Sequence, residues 1–195
     1  MIIGITGSIG SGKTTAAKMF GAHCYNRIDA DKIAHEIIKK NSAAYKKIIK
    51  AFGAGILDKN KDVERKRLGD AVFGDDRKLK TLNSIMHPII IESIKNEISK
   101  IKNKCQGKTR IVIDAPLLLE TDTKNLVDKI IIVKCDEKNA VKRLNKKYPK
   151  EKIEKILKSQ MPLDEKLKYA DFVVDNNKDL QNLRNRVREI VEELN

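Results

Sequence analysis

The sequence predicts an α/β fold in which helices flank a doubly wound parallel sheet. Two continuous apolar runs rich in β-branched residues, 109–114 and 129–135, have the pattern of strands that are buried on both faces. Helix-forming stretches separate these runs from each other and from the apolar segment that opens the chain. With 195 residues, 41% of them hydrophobic, the chain can bury a sizeable core, which favours one domain with appended lobes.

Five strands with helices between them make up the predicted fold. The predicted strands cover residues 1–6, 24–28, 109–114, 129–135 and 171–175. The predicted helices cover residues 14–20, 32–40, 43–52, 64–73, 77–86, 87–102, 137–148, 151–159 and 180–194. A new helix is expected to start at residue 87 because Pro88 suits a first helical turn. Ligands of such a sheet bind outside the carboxyl ends of its strands, where the site residues are expected.

The composition argues against a membrane protein and against a dedicated nucleic-acid-binding protein. No apolar run approaches the roughly 20 residues that span a bilayer. The chain opens on an apolar strand without a basic leader, so a cytoplasmic location is expected. The formal net charge is +14, but aromatic residues are only 4% and offer no stacking platform for nucleic acid. Cys24, Cys105 and Cys135 are widely spaced and are expected to be reduced thiols.

A glycine-rich segment between the first strand and the first helix carries the strongest functional signal. Residues 7–14 match the pattern G-x-x-x-x-G-K-[ST], in which backbone N–H groups converge on phosphate oxygens at the start of a helix. Lys13 is expected to reach the β- and γ-phosphates of ATP, and the Thr14 hydroxyl to ligate Mg²⁺. The pattern predicts a three-layer P-loop NTPase fold whose nucleotide contacts come from Gly7, Ser8, Ile9, Gly10, Ser11, Gly12, Lys13, Thr14 and Thr15.

Three further charged residues are candidates for phosphoryl transfer, which depends on positioning and charge neutralisation. Asp31, at the predicted end of the second strand, is equally consistent with a general base and with an N-cap of the following helix. Asp114 ends a buried strand, where a carboxylate beside the metal and a solvated strand end are both compatible with the pattern. Arg143 shares a helical face with Lys146 and Lys147, and its planar guanidinium suits phosphate better than a lysine does.

Motifs spread over nearly the whole chain, in order and at matching spacing, resemble the dephospho-CoA kinase family. The loop at residues 7–15 alone indicates only a P-loop NTPase, whereas the later blocks are much more specific. These blocks are Asp29-Ala30-Asp31 with Ile33-Ala34, Phe52-Gly53, Arg65 with Leu68, Val72-Phe73, Leu82 through His87-Pro88, Pro116-Leu117-Leu118 with Glu120, Ser159-Gln160-Met161-Pro162, Ala170-Asp171 and Asp175-Asn176.

The resemblance implies a kinase that moves the γ-phosphoryl of ATP to the ribose 3′-hydroxyl of dephospho-CoA with the help of Mg²⁺. It implies Asp31 as the general base, and Lys13 and Arg143 as the cations that neutralise the transferred phosphate. It further implies that Asn176 contacts ATP. The residues expected at the acceptor are Asp29, Asp31, Arg65, His87, Pro116 and Leu117, although His87 beside Pro88 is by its sequence a packed or capping residue.

The resemblance also implies three parts of the chain. These are a nucleotide-binding core at about 1–30, 103–142 and 161–195, a helical CoA-binding lobe at about 31–102, and a mobile lid at about 143–160. Closure of such a lid excludes water from the reaction. The chain departs from the family pattern at His35, where an arginine is usual, and in a lid rich in lysine where relatives often place another arginine.

Two other functions remain compatible with the sequence. A nucleoside or nucleoside monophosphate kinase has a similar fold, and a longer groove for a pantetheine-bearing acceptor distinguishes the family from it. A nucleotide-gated regulatory or nucleic-acid-binding module would use the same loop, but the sequence offers no separate recognition domain. ATP and the acceptor are therefore the expected partners, without nucleic acid or membrane; a monomer is the default expectation.

Overall fold

The structure, a computed structural model, contains one five-stranded parallel sheet within its described residues, which are 1–72, 74–105, 109–145, 149, 153, 157 and 160–194. The strands are β1 (Ile2–Thr6), β2 (Asn26–Asp29), β3 (Ile111–Asp114), β4 (Lys129–Lys134) and β5 (Phe172–Asp175). They lie in the order β2-β3-β1-β4-β5, and each neighbouring pair is parallel. The predicted parallel α/β fold is confirmed, and the sheet's central strand, β1, is the one that leads into the glycine-rich loop.

Helices connect the strands along the chain. They are α1 (Lys13–Gly21), α2 (Ala30–Glu36), α3 (Ala43–Phe52), α4 (Arg65–Val72), α5 (Asp76–Lys104), α6 (Glu137–Leu144), α7 (Leu163–Leu167) and α8 (Leu180–Glu193), with short 3-10 turns at Ala54–Ile56 and Asp122–Leu126. Phe73, Lys146, Lys147, Ser159 and most of the predicted helix 151–159 lie outside the described residues. Across the part of the chain that is described, no helix is both long enough and apolar enough to cross a membrane.

The chain divides into two compact units. The sheet unit comprises Met1–Asp29 with Ile98–Asn195, and the helical unit comprises Ala30–Glu97. In the sheet unit, Ile5 of β1 belongs to the same buried cluster as Phe20 of α1 and Val187 of α8. Full burial of each such side chain contributes about 1.5–3 kcal/mol, so this core holds β1 and the start of α1 in fixed positions. The loop between them is therefore fixed at both ends.

The helical unit has a core of its own. Buried apolar side chains from the α2–α3 connection, α3, the following 3-10 turn and α4 form it: Ile38, Ala44, Ile48, Ile56, Leu68 and Val72. Helix α3 begins where predicted because the Ser42 hydroxyl oxygen accepts a hydrogen bond from Tyr45 N–H at 3.4 Å, as an N-cap does. The helical unit is thus an independently packed body and not an extended arm.

Several predicted boundaries differ from the structure, among them the ends of α2 at Glu36 and α6 at Leu144, and two of the differences have identifiable reasons. The predicted break at residue 87 is absent, because α5 runs through Pro88. Leu79, Leu82, Met86 and Ile89 all pack on the helical unit's core, and this spacing of three and four residues continues past the proline. Proline removes one intrahelical hydrogen bond, and the burial of this stripe on both sides offsets that cost. Strand β2 starts later than predicted because Cys24 has a left-handed φ of 63°.

Candidate active site

The glycine-rich loop joins β1 to α1, and two of its glycines lie where a side chain would collide. Gly12 precedes α1 with a φ of 90°, a left-handed backbone that favours glycine. A Cβ at Gly12 would lie 2.2 Å from Asn176 Nδ2, and a Cβ at Gly7 would lie 2.1 Å from Val133 O. Asn176 Nδ2 also donates a hydrogen bond to Ser11 O at 2.7 Å. The loop is therefore fitted closely against the ends of β4 and β5.

Arg143, in the last turn of α6, lies against the same loop. Its guanidinium donates to Gly10 O at 3.2 Å, to Ser11 O at 3.3 Å and to Asn176 O at 2.8 Å. Three carbonyl partners use the fork-shaped donor set that a lysine lacks. The structure thus brings Arg143, Asn176 and the predicted nucleotide loop together.

The carboxyl ends of β2 and β3 place two carboxylates side by side with two cations. Asp29 and Asp114 are register partners. Lys13 Nζ lies 3.0 Å from Asp114 Oδ1, and Arg27 lies 2.7 Å from Asp114 Oδ2 and 2.6 Å from Asp29 Oδ2. The side chain of Asp114 is only 3% exposed, so the cost of burying this carboxylate is offset by its pairing with the two cations. Asp114 therefore lies at the loop, which supports a role at the site rather than a solvated strand end.

Arg27 is not among the site residues predicted from the sequence. Burial opposes its charged form, but hydrogen bonds and attraction from Asp114 and Asp29 outweigh burial and raise the pKa of Arg27 above its ordinary value. The sequence did indicate a pair between Arg27 and Asp29. Residues two apart on a strand share a face, and Arg27 stands two residues before Asp29. Its pairing with Asp114 depends on strand register, which a local pattern does not contain.

Pro116 and Leu117 follow β3 and use their backbone carbonyls within the sheet unit. Pro116 O accepts a hydrogen bond from the Thr6 hydroxyl at 3.0 Å. Leu117 O accepts one from the Thr121 hydroxyl at 2.9 Å. These contacts fix the segment after β3 against the end of β1. Whether either residue contacts an acceptor stays a prediction.

The remaining predicted residues belong to the helical unit. Asp31 lies in the first turn of α2, directly after β2 ends at Asp29. Arg65 is the first residue of α4 and is exposed. His87 lies within α5, where burial lowers its pKa below the ordinary value and favours the neutral imidazole near pH 7. A neutral, half-buried histidine agrees with a packed residue, while the substrate roles of all three stay predictions.

The oxygen donors at the carboxyl edge fit a magnesium ion by their chemistry. The Thr14 hydroxyl is exposed in the first turn of α1, and the carboxylates of Asp29 and Asp114 end neighbouring strands. Among the described residues, no group of three or more histidine, cysteine or acidic side chains could hold a metal by itself. Mg²⁺ is commonly bound through few protein oxygens together with waters and substrate phosphates, so such a sparse donor set suits it.

The parallel sheet, with a glycine loop and a lysine at the start of the following helix, defines a P-loop nucleotide-binding protein of the kinase type. The model of the family "Dephospho-CoA kinase" matches residues 1–182. The chain is 38% identical to the dephospho-CoA kinase of Aquifex aeolicus, covering 98% of this chain and 96% of that one. It is 40% identical to the dephospho-CoA kinase of Fusobacterium nucleatum, covering 98% and 97%.

A solved structure agrees with these sequence matches. The dephospho-CoA kinase from Campylobacter jejuni superposes with a TM-score of 0.72 at 29% identity, covering 99% of this chain and 96% of that one. The chain therefore belongs to the dephospho-CoA kinase family. The family resemblance expected from the sequence motifs is confirmed.

Proposed function

We propose that the protein transfers the γ-phosphoryl of ATP to the ribose 3′-hydroxyl of dephospho-CoA, giving coenzyme A and ADP. The observation that carries this proposal is the convergence of the glycine loop, Lys13 and Arg143 at one place in a chain that belongs to this family. Fold alone would not carry it, because a P-loop fold serves many acceptors. Family membership supports dephospho-CoA as the acceptor. The residues at the glycine loop support phosphoryl transfer as the reaction.

The sheet unit supplies the nucleotide contacts. The loop's backbone N–H groups and the Thr14 and Thr15 side chains surround the phosphates, and Asn176 keeps the loop in shape. Lys13 leaves Asp114 for the β- and γ-phosphates, while Arg27 remains as a cation beside Asp114. Arg143 lies at the loop carbonyls and adds positive charge where negative charge develops on the transferred group. Mg²⁺, held by Thr14 together with the phosphates, supplies further charge neutralisation.

The helical unit supplies the base and the acceptor contacts. The Asp31 carboxylate takes the proton of the 3′-hydroxyl as the new O–P bond forms and the bond to the bridging β,γ-oxygen breaks, so that ADP leaves. Arg65 and His87 are the proposed acceptor residues of the helical unit; Asp29, Pro116 and Leu117 are those of the sheet unit. The proposal includes a mobile lid at 143–160 that excludes water; most of it lies outside the described residues.

The surroundings of the reaction are part of the proposal. We place the enzyme in the cytoplasm, which agrees with free thiols at Cys24, Cys105 and Cys135, because a reducing compartment keeps cysteines unpaired. ATP and dephospho-CoA are the proposed partners. Their phosphates are negatively charged, and the chain's formal charge of +14 favours the approach of polyanions.

A coupled ADP-release assay tests the proposal directly. Purified protein with Mg²⁺ and ATP is offered dephospho-CoA, AMP, CMP, adenosine or no acceptor. We expect ADP release with dephospho-CoA alone, and phosphate mapped to the ribose 3′ position of the product. Preference for a nucleoside monophosphate would refute the acceptor but leave the P-loop kinase chemistry. Equal turnover without any acceptor would indicate a nucleotide-gated ATPase instead.

A further inference from the structure

Lys166 is a fully buried lysine of the sheet unit. It lies in the short helix α7, its side chain is 0% exposed, and Nζ is 2.9 Å from Glu120 Oε1. It also donates a hydrogen bond to Pro116 O at 3.2 Å. Lys168, two residues along, is 66% exposed and pairs with Glu165 on the surface. Burial of a charge is costly unless it is paired, so Lys166 is held in place by its partners in a way that Lys168 is not.

Glu120 joins Lys166 to a third segment. The same Oε1 atom accepts a hydrogen bond from Met161 N–H at 3.0 Å. Pro116 O accepts from the Thr6 hydroxyl as well, and Thr6 directly precedes the glycine loop. One buried ion pair thus connects the end of β1, the segment after β3 and the segment that leads into α7.

Gln160 links this group of contacts to the nucleotide loop. It directly precedes Met161, and its Oε1 accepts a hydrogen bond from Ile9 N–H at 3.2 Å. Ile9 lies in the first half of the loop, and its backbone N–H is taken up by this hydrogen bond. Gln160 is the last residue of the proposed lid, and its position depends on the Met161 backbone, which Glu120 fixes.

We propose that Lys166 and Glu120 are positioning residues for ATP binding, acting through Gln160. The buried pair holds the Met161 backbone, Gln160 then holds Ile9 N–H, and the loop keeps the conformation that receives the phosphates. None of the three side chains needs to touch the substrates. This inference rests on the ATP-binding part of the proposed function and is independent of the acceptor. The competing explanation is that the pair only stabilises the folded sheet unit.

Direct measurement of Mg·ATP affinity in the full chain separates the two explanations. Gln160→Ala should weaken binding about threefold to tenfold, the size of one hydrogen bond, and should lower Tm less than loss of the buried lysine does, because Gln160 lies outside the buried pair. Lys166→Met should weaken binding by a similar factor and should also lower Tm. Lys168→Met, the matched control on the same segment, should change neither quantity.

A double-mutant cycle gives the decisive result. If Lys166 acts through Gln160, adding Lys166→Met to Gln160→Ala should change ATP affinity by less than about twofold. Full additivity, or an affinity of Gln160→Ala equal to that of the wild type, overturns the proposal. If Lys166→Met does not fold, Glu120→Gln, which keeps the side-chain shape, takes its place in the cycle. Because ATP binding needs no acceptor, a failed dephospho-CoA assay would leave this result interpretable.

Discussion

The two units of the molecule hold their charged side chains in different ways. In the sheet unit, besides surface pairs such as Lys168 with Glu165, some ion pairs join segments far apart in the chain and are largely or fully shielded from water, as Lys13 with Asp114 and Lys166 with Glu120 are. In the helical unit, the pairs Lys39–Glu36, Arg67–Glu64 and Lys78–Asp75 each join residues one helical turn apart at the surface. The first kind of pair fixes tertiary geometry, whereas the second contributes little to stability.

This difference matches the different requirements of phosphate binding and acceptor binding. Phosphate binding requires donors and cations held in one geometry, and long-range buried pairs provide that rigidity. If the helical unit binds the acceptor, as proposed above, the surface charges on its helices suit a long substrate. Substitutions at the sheet edge should therefore disturb several residues together, while those in the helical unit should act one residue at a time.

The largest effect is expected from Asp31→Asn, which tests whether a residue of the helical unit takes part in the chemistry. Asparagine keeps the size of the side chain but does not take up a proton, so kcat should fall by about 100-fold or more. Binding of ATP should stay nearly intact. Asp70→Asn, an exposed aspartate of α4, is the matched control. Transfer within a few-fold of the wild type would remove Asp31 from the role of base.

Arg143→Lys should give the next largest effect. It tests whether the contacts of this guanidinium with the loop of the sheet unit matter for the reaction. The charge is kept, but the fork that contacts Gly10, Ser11 and Asn176 is lost, so kcat should fall about tenfold to 100-fold, and ATP affinity should fall less than kcat. The same substitution at Arg188, which is exposed on α8, should leave kcat unchanged. Unaltered kcat in Arg143→Lys would make this arginine a surface residue without a catalytic role.

Arg27→Met and Lys39→Met together compare how much a long-range ion pair and a local one contribute to the free energy of unfolding. Loss of Arg27 leaves Asp114 buried beside Lys13 alone, so unfolding free energy should drop by about 1–3 kcal/mol, reduced from a fully buried pair because Arg27 is partly exposed. ATP should also bind more weakly, since Lys13 is then held more firmly by Asp114. Lys39→Met in the helical unit should leave stability almost unchanged. Equal losses in urea unfolding would remove the distinction between the two units.

The sequence predicted what is encoded by local spacing. The glycine loop follows from an eight-residue pattern between a strand and a helix, and the strands at Ile111–Asp114 and Lys129–Lys134 follow from continuous apolar runs. The family followed from motifs in series, and its confirmation by full-length matches shows how much order and spacing add to one motif. The roles of Asp31, Arg65 and His87 stay predictions.

Contacts between distant segments could not be predicted in the same way. Arg27 reaches Asp114 only because β2 and β3 pair in a particular register, and Lys166 reaches Glu120 only after the chain has folded. The missed continuity of α5 has the same origin, because the rule that proline starts a helix is local. The apolar stripe that overrides this rule is recognisable only when the core it packs on is known.

The smallest effect is expected from the titration of His87, and it tests whether the helical unit has a buried titratable group of its own. Burial lowers the pKa of His87, so between that lowered value and about 6.5, the ordinary value, the unfolded chain binds more protons than the folded protein. Unfolding free energy should therefore fall as the pH drops below about 6.5, and His87→Gln should reduce that fall. Urea unfolding at pH 7.5 and pH 5.5 measures it, with the exposed His35→Gln as control. If both variants follow the pH dependence of the wild type, His87 does not contribute to it.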